Sequence, residues 1–136
     1  MTFLLAAYAG LRAGEIRGLR WRDVDLAAGH LVVRESICHG EVATPKSGHE
    51  RVVPLIPELR TALQKVRPRE RDKFVALNAY GRKWTDWGLL QAFKRAYERA
   101  GLKGWRFHDL RHFFVTALFR KGVAAPTVQA LAGHAH

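Results

Sequence analysis

The sequence predicts an α+β fold that is mostly α-helical, with a small three-stranded antiparallel sheet inserted early. Apolar residues recur at helical spacing along most of the chain. Between Gly29 and Pro54 that period gives way to runs of β-branched residues. Glycines and prolines fall where helices should start and stop. The 136 residues, 48% of them apolar, suffice to bury a core and exclude a disordered chain. No linker, repeat or low-complexity tract divides them, so residues 1–136 read as one domain, complete or incomplete.

Leu4, Leu5, Tyr8 and Leu11 lie at helical spacing and open the chain on a helix. Gly10 and Gly14 bracket a turn into a second short helix, with Ile16 and Leu19 on its core side. His30-Leu-Val-Val-Arg-Glu reads as a strand, and Glu41-Val-Ala-Thr and Glu50-Arg-Val-Val-Pro as two more. Lys46-Ser-Gly-His lies between the last two as a turn, which puts Lys46 at a hairpin tip. Pro57 stands at a first helical position, followed by Leu59, Ala62, Leu63 and Val66 on one face. Residues 67–73 form a charged loop, and Phe74-Val-Ala-Leu a short extended piece. Thr85 or Asp86 caps a helix carrying Leu89, Leu90, Phe93, Tyr97 and Ala100, and Gly101 stops it. Leu110, Phe113, Phe114, Ala117 and Leu118 make the clearest helical stripe in the chain, ended by Gly122. Val128 and Leu131 follow Pro126 on a last short helix closed by Gly133.

Lys and Arg number 23 against 12 Asp and Glu, a net charge of +11. A balance this basic in a chain with a core points to a polyanionic partner. The lone cysteine, Cys38, excludes an internal disulfide framework and fits a reducing compartment. The apolar run at Phe3-Leu-Leu-Ala-Ala-Tyr-Ala is too short to span a bilayer and lacks the basic flank of a signal peptide. A cytoplasmic protein is expected, with nucleic acid and no membrane as its partner.

Four segments carry candidate chemistry. In Phe107-His-Asp-Leu-Arg-His, His108 and Arg111 are three residues apart on a helix and share one face at the edge of the apolar stripe. A pair of cationic groups held on a rigid element suits a phosphate, because the donors need not move to meet it. In Ala9-Gly-Leu-Arg-Ala-Gly-Glu, Arg12 sits at a turn between two helices. Glu15 stands three residues on, where it can hold a guanidinium or cap the helix. Thr44-Pro-Lys-Ser-Gly-His puts Lys46 on its hairpin, and Leu131-Ala-Gly-His puts His134 just past a helix end.

Taken together and in this order, these segments resemble the catalytic domain of tyrosine recombinases, the phage-integrase family, from Tyr8 to His134. The resemblance implies that family's helical catalytic fold. It also implies site-specific recombination or integration of DNA through a covalent 3′-phosphotyrosyl intermediate. Carried over by motif, Arg12 and Arg111 match the arginine pair that clamps the scissile phosphate. His108 matches the residue that handles the nucleophile's proton, and Lys46 the general acid for the leaving 5′ oxygen. His134 matches a second phosphate hydrogen-bonder, and Glu15 the acidic residue that supports Arg12. The implied partners are double-stranded DNA and other recombinase protomers in a synaptic complex, with a monomer expected in free solution.

The chemistry fits those roles. A phosphodiester gains negative charge in its pentacoordinate transition state, and two planar guanidinium forks spread donors over its oxygens. A lysine can protonate the departing alkoxide when neighbouring cations lower its pKa. A phosphotyrosine resembles in energy the bond it replaces, so rejoining needs neither ATP nor another cofactor, and side-chain cations take the place of a metal.

One element of the family pattern is absent from these residues. The pattern places its nucleophilic tyrosine on a helix beyond the Gly-His motif, whereas the tyrosines here are Tyr8, Tyr80 and Tyr97. Tyr8 and Tyr97 read as core residues and Tyr80 as a loop residue. Residues 1–136 are therefore expected to form an incomplete catalytic domain. It would carry the phosphate-activating groups without the nucleophile, bind DNA, and be unable to cleave in cis. The alternatives are a non-catalytic DNA-binding remnant of a recombinase and a metal-dependent nuclease. The second lacks clustered carboxylates. Cys38-His39, His49 and His134-Ala-His136 lack zinc-ligand spacing, so no metal is expected. Arg17, Arg20 and Arg22 are further candidates for phosphate contacts.

Overall fold

The structure is a computed structural model and describes residues 1–45 and 48–133. Two of the predicted site residues, Lys46 and His134, lie outside the described residues. The helices are α1 (Thr2–Ala9), α2 (Ala13–Gly18), α3 (Pro57–Val66), α4 (Asp86–Arg99), α5 (His108–Arg120) and α6 (Ala125–Ala132). The strands are β1 (Val24–Asp25), β2 (His30–Val33), β3 (Ser36–Cys38), β4 (Glu41–Ala43) and β5 (Arg51–Pro54). This is the mostly helical α+β architecture that the sequence predicts.

The helices form where the periodicity puts them. Leu5, Ala6 and Ala9 of α1 are fully buried, as are Leu59 and Leu63 of α3. Pro57 opens α3 from an extended Ile56. Thr85 caps α4, its Oγ1 accepting the Gly88 N–H at 3.0 Å. Phe3, Phe93, Tyr97 and Phe107 meet edge-to-face, with ring centroids 5.3 to 6.2 Å apart, and join α1 and α4 to the start of α5.

The three-stranded sheet has a different membership from the expected one. Its order is β1-β2-β5, all antiparallel, with Leu31 opposite Val53 and Val33 opposite Arg51. The predicted strand at 41–44 instead pairs with Ser36–Cys38 in a separate two-stranded hairpin. Leu31, Val33 and Val53 are buried, whereas β4 is exposed throughout. A strand with no apolar inward face has nothing to hold it in the core sheet, so β5 takes the place beside β2.

The stripe predicted on α5 is also redistributed. Phe114 is buried, but Phe113 is 54% exposed, and the other buried residue of the helix is Arg111. The cause lies in α1. Gly10 ends that helix in the left-handed conformation, φ 69°. A Cβ there would stand 2.2 Å from the Phe114 ring. The backbone of Gly10 thus lies directly against α5, and this close approach turns the Arg111–Phe114 face inward.

Candidate active site

Arg12 occupies the turn between α1 and α2 in extended conformation and serves as the N-cap residue of α2. Its backbone N–H donates to Glu15 Oε1 at 2.9 Å. Its Nη2 donates to the carbonyl of Gly133, the left-handed cap of α6, at 3.3 Å. One short loop and two helix ends therefore orient this side chain.

Arg111 reaches the same corner from α5. Its Nη1 donates to the Gly10 carbonyl at 2.8 Å, and the residue is only 2% exposed. Two buried guanidinium nitrogens, Arg12 Nη1 and Arg111 Nη2, find no acceptor among the described residues. A buried donor without a partner is costly and calls for an explanation, such as an absent anion.

The charge balance points the same way. Arg12, Arg51 and Arg111 share one buried carboxylate, Glu15. Arg51 takes both oxygens of that carboxylate, at 2.6 and 2.9 Å. The nearest approach of Arg12 Nη1 to Glu15 is 3.9 Å. Among the described residues, three guanidiniums face one carboxylate, leaving positive charge in excess. Burial first, and then the Arg12 charge, bring Arg111 down to about 10. Burial and the Arg51 charge also lower Arg12, partly offset by Glu15. Burial pushes the Glu15 carboxyl up, but the Arg51 hydrogen bonds and charge hold it below the usual carboxylate range.

His108, at the first position of α5, completes the group. Its ring meets that of His112 edge-on at 4.9 Å. Burial, then His112, Arg111 and Arg12, hold its pKa below the ordinary histidine value. Its ring is thereby biased toward the uncharged form, which can take up a proton.

The structure thus brings Arg12, His108 and Arg111 together across nearly one hundred residues of sequence. Glu15 does support Arg12 by capping its backbone, but its side chain belongs mainly to Arg51. Sequence reasoning missed Arg51, although a signal was present. In a strand of period two, Arg51 lies on the same face as the inward-facing Val53.

Two other features are accounted for. Cys38, His39 and Asp86 place possible metal-ligand atoms within 4.8 Å of one another. However, Asp86 is already paired with Arg17 and accepts the His39 backbone N–H at 3.0 Å, so a metal ion would compete with a guanidinium. Among the described residues, no helix is long and apolar enough to cross a membrane.

Residues 1–136 match the phage integrase family over their full extent. A tyrosine recombinase XerC-like protein of Caldanaerobacter subterraneus subsp. tengcongensis is 29% identical over 163 residues, covering 98% of this chain and 42% of that protein. The shufflon-specific DNA recombinase of Escherichia coli is 31% identical, covering 98% of this chain and 31% of its own length. Among solved structures, the integrase from mycobacterium phage Brujita superposes with a TM-score of 0.75 at 30% identity, covering 98% of this chain and 42% of that one. The chain spans less than half the length of each of these relatives.

Proposed function

The chain belongs to the phage integrase family and has the catalytic-domain fold of tyrosine recombinases, and on that premise we propose that it activates a DNA phosphodiester for site-specific strand cleavage and rejoining. The observation that carries this reading is the pair of guanidiniums of half-buried Arg12 and buried Arg111, each with one buried nitrogen that lacks an acceptor among the described residues. Two preset forks with excess positive charge match the charge that develops on the phosphate oxygens during in-line attack. His108, biased toward its uncharged form by burial and the neighbouring cations, accepts the proton of an attacking tyrosine. Lys46 donates a proton to the leaving 5′ oxygen, and His134 adds a hydrogen bond to the phosphate. The reaction exchanges one phosphoester for another of similar energy and uses no cofactor.

Residues 1–136 act in this scheme as one unit of a catalytic domain, on double-stranded DNA in the cytoplasm and with further protomers in a synaptic complex. The names of the relatives, a shufflon-specific DNA recombinase among them, support DNA as the substrate.

The test uses nicked or suicide recombination substrates, which trap the covalent intermediate. In a full-length recombinase carrying these residues, Arg12→Ala and Arg111→Ala each abolish the DNA adduct, while circular dichroism shows the fold retained. Full cleavage by either variant would remove the clamp assignment. Residues 1–136 alone bind duplex DNA and form no adduct. An adduct would make Tyr8, Tyr80 or Tyr97 a nucleophile. Of these, Tyr80 is 87% exposed, whereas Tyr8 and Tyr97 pack against the core.

A further inference from the structure

We propose that Arg51 is a positioning residue for the phosphate clamp, locking the start of α2 and the end of α6 into one frame. This deepens the clamp reading above and rests on it.

Arg51 is buried and has three of its N–H donors engaged. Nη1 and Nη2 grip the two oxygens of Glu15 at 2.6 and 2.9 Å. Nε donates to the Leu131 carbonyl in the last turn of α6 at 2.9 Å. That carbonyl is among the terminal groups a helix cannot satisfy internally, and a cation also suits the negative end of the helix dipole. Glu15, held on both oxygens, caps the backbone N–H of Arg12. At the other end, the guanidinium lies against Gly133, where a Cβ would stand 2.7 Å from Nη1. The Gly133 carbonyl in turn accepts from Arg12 Nη2.

The contacts close a ring: Arg51 to Glu15, Glu15 to the Arg12 backbone, Arg12 to Gly133, and Gly133 back against Arg51. Arg12 is thus fixed from both its backbone and its side chain, and Arg51 is common to the two routes. Arg51 does not itself serve as a phosphate ligand, because Glu15 matches its charge and its fork points at that carboxylate. Nor is stabilisation a sufficient account. A buried ion pair adds little over a well-packed apolar pair of the same volume, and an apolar pair would cap neither Arg12 nor α6. Precise placement matters here because displacing a charge-stabilising donor by an ångström costs a large factor in function.

The experiment uses residues 1–136 and inorganic phosphate as the probe, followed through the side-chain Nε–H signals of Arg12 and Arg111 by NMR. Salt-dependent binding to a duplex is measured in parallel. In the wild type, phosphate shifts both signals saturably. Arg51→Lys keeps the charge but loses the fork, and it weakens phosphate binding by about tenfold to a hundredfold. Its salt slope on duplex DNA stays unchanged. Glu15→Asp keeps the carboxylate but is one methylene too short to hold both Arg51 and the Arg12 N–H, so it gives the same pattern and serves as the reading should Arg51→Lys fail to fold. Leu63→Ala, a change at a buried position of α3 that bonds to none of the corner residues, lowers stability and leaves phosphate affinity as in the wild type.

If phosphate binding is unchanged in Arg51→Lys, the positioning role is wrong while the clamp stands. The same holds if Leu63→Ala weakens phosphate binding as much. If phosphate shifts neither arginine in the wild type, the clamp reading itself falls and the role of Arg51 with it.

Discussion

The segment from Arg12 to Arg22 feeds two clusters of arginines that differ in one respect. In the corner formed by Arg12, Arg51 and Arg111, three guanidiniums share the carboxylate of Glu15. In the second cluster, Arg17 pairs with Asp86, Arg22 with Asp72 and Glu35, and Arg34 with Asp23 and Glu50. Arg20 donates to the Asp72 carbonyl at 2.7 Å and lies over the Phe74 ring at 4.2 Å. Arg17 and Arg20 also leave a buried Nε without an acceptor, but among the described residues five carboxylates stand against these four arginines and Lys83, which shares the Phe74 ring with Arg20. One cluster neutralises itself and the other does not. An arginine signals a binding site when the fold supplies it with fewer anions than cations, and residue type alone does not reveal that.

Stability should separate the clusters most strongly. Glu15→Ala leaves Arg51 buried and unpaired, and should destabilise the fold by about 3–5 kcal/mol in denaturant titrations. Glu50→Ala or Asp72→Ala removes an exposed partner and should cost less than about 1 kcal/mol. Equal losses would erase the distinction. The Glu15 contribution also depends on pH. With its folded pKa held below the ordinary value, the stabilisation is present above the unfolded carboxylate pKa and is lost as pH falls through the folded one.

The close approach beneath the corner gives the next effect. Gly10→Ala drives a Cβ into Phe114 at a left-handed backbone position and should cost about 1–3 kcal/mol. Gly81→Ala shares the left-handed backbone but meets nothing within 4 Å, so only about 1 kcal/mol of backbone strain is expected. Paired thermal melts of the two variants compare them directly.

Salt dependence then tests which arginines meet phosphate. Arg12→Ala or Arg111→Ala should each lower the slope of log affinity for duplex DNA against log salt by about one. Arg22→Ala and Arg34→Ala, whose charges are already matched, should change it less. A larger drop for Arg22→Ala would reverse the comparison.

The smallest effect is a proton. Repulsion by Arg111 and Arg12 contributes to the low pKa of His108, so a bound phosphate that neutralises them should raise it. Binding of a phosphodiester, which does not itself titrate near neutral pH, should then take up protons and tighten as pH falls through the His108 titration. Histidine ring signals recorded with and without dimethyl phosphate read this directly, and a downward shift would place the anion elsewhere.

Much of the architecture was legible before folding. Pro57 at the start of α3, Thr85 capping α4 and Gly133 closing α6 are local signals that the structure repeats. So was the grouping of Arg12, His108 and Arg111, through ordered motifs. The sheet was legible only in part. Local β-propensity marks both β4 and β5, but burial alone decides which of them joins β2. Phe113 and Arg111 exchange their expected environments because a contact from α1, a hundred residues earlier, rotates the inward face of α5.

The amino-acid order by itself determined which segments become helices, where they end, and which basic residues stand at their termini, because caps and periodicity act over a few residues. Only the tertiary structure decided how each charge is neutralised. Glu15 could have served Arg12 alone, but β5, paired with β2 and packed against α6, brought Arg51 within reach of both its oxygens. Coulomb attraction and desolvation depend on distance through space, and sequence spacing carries little of that.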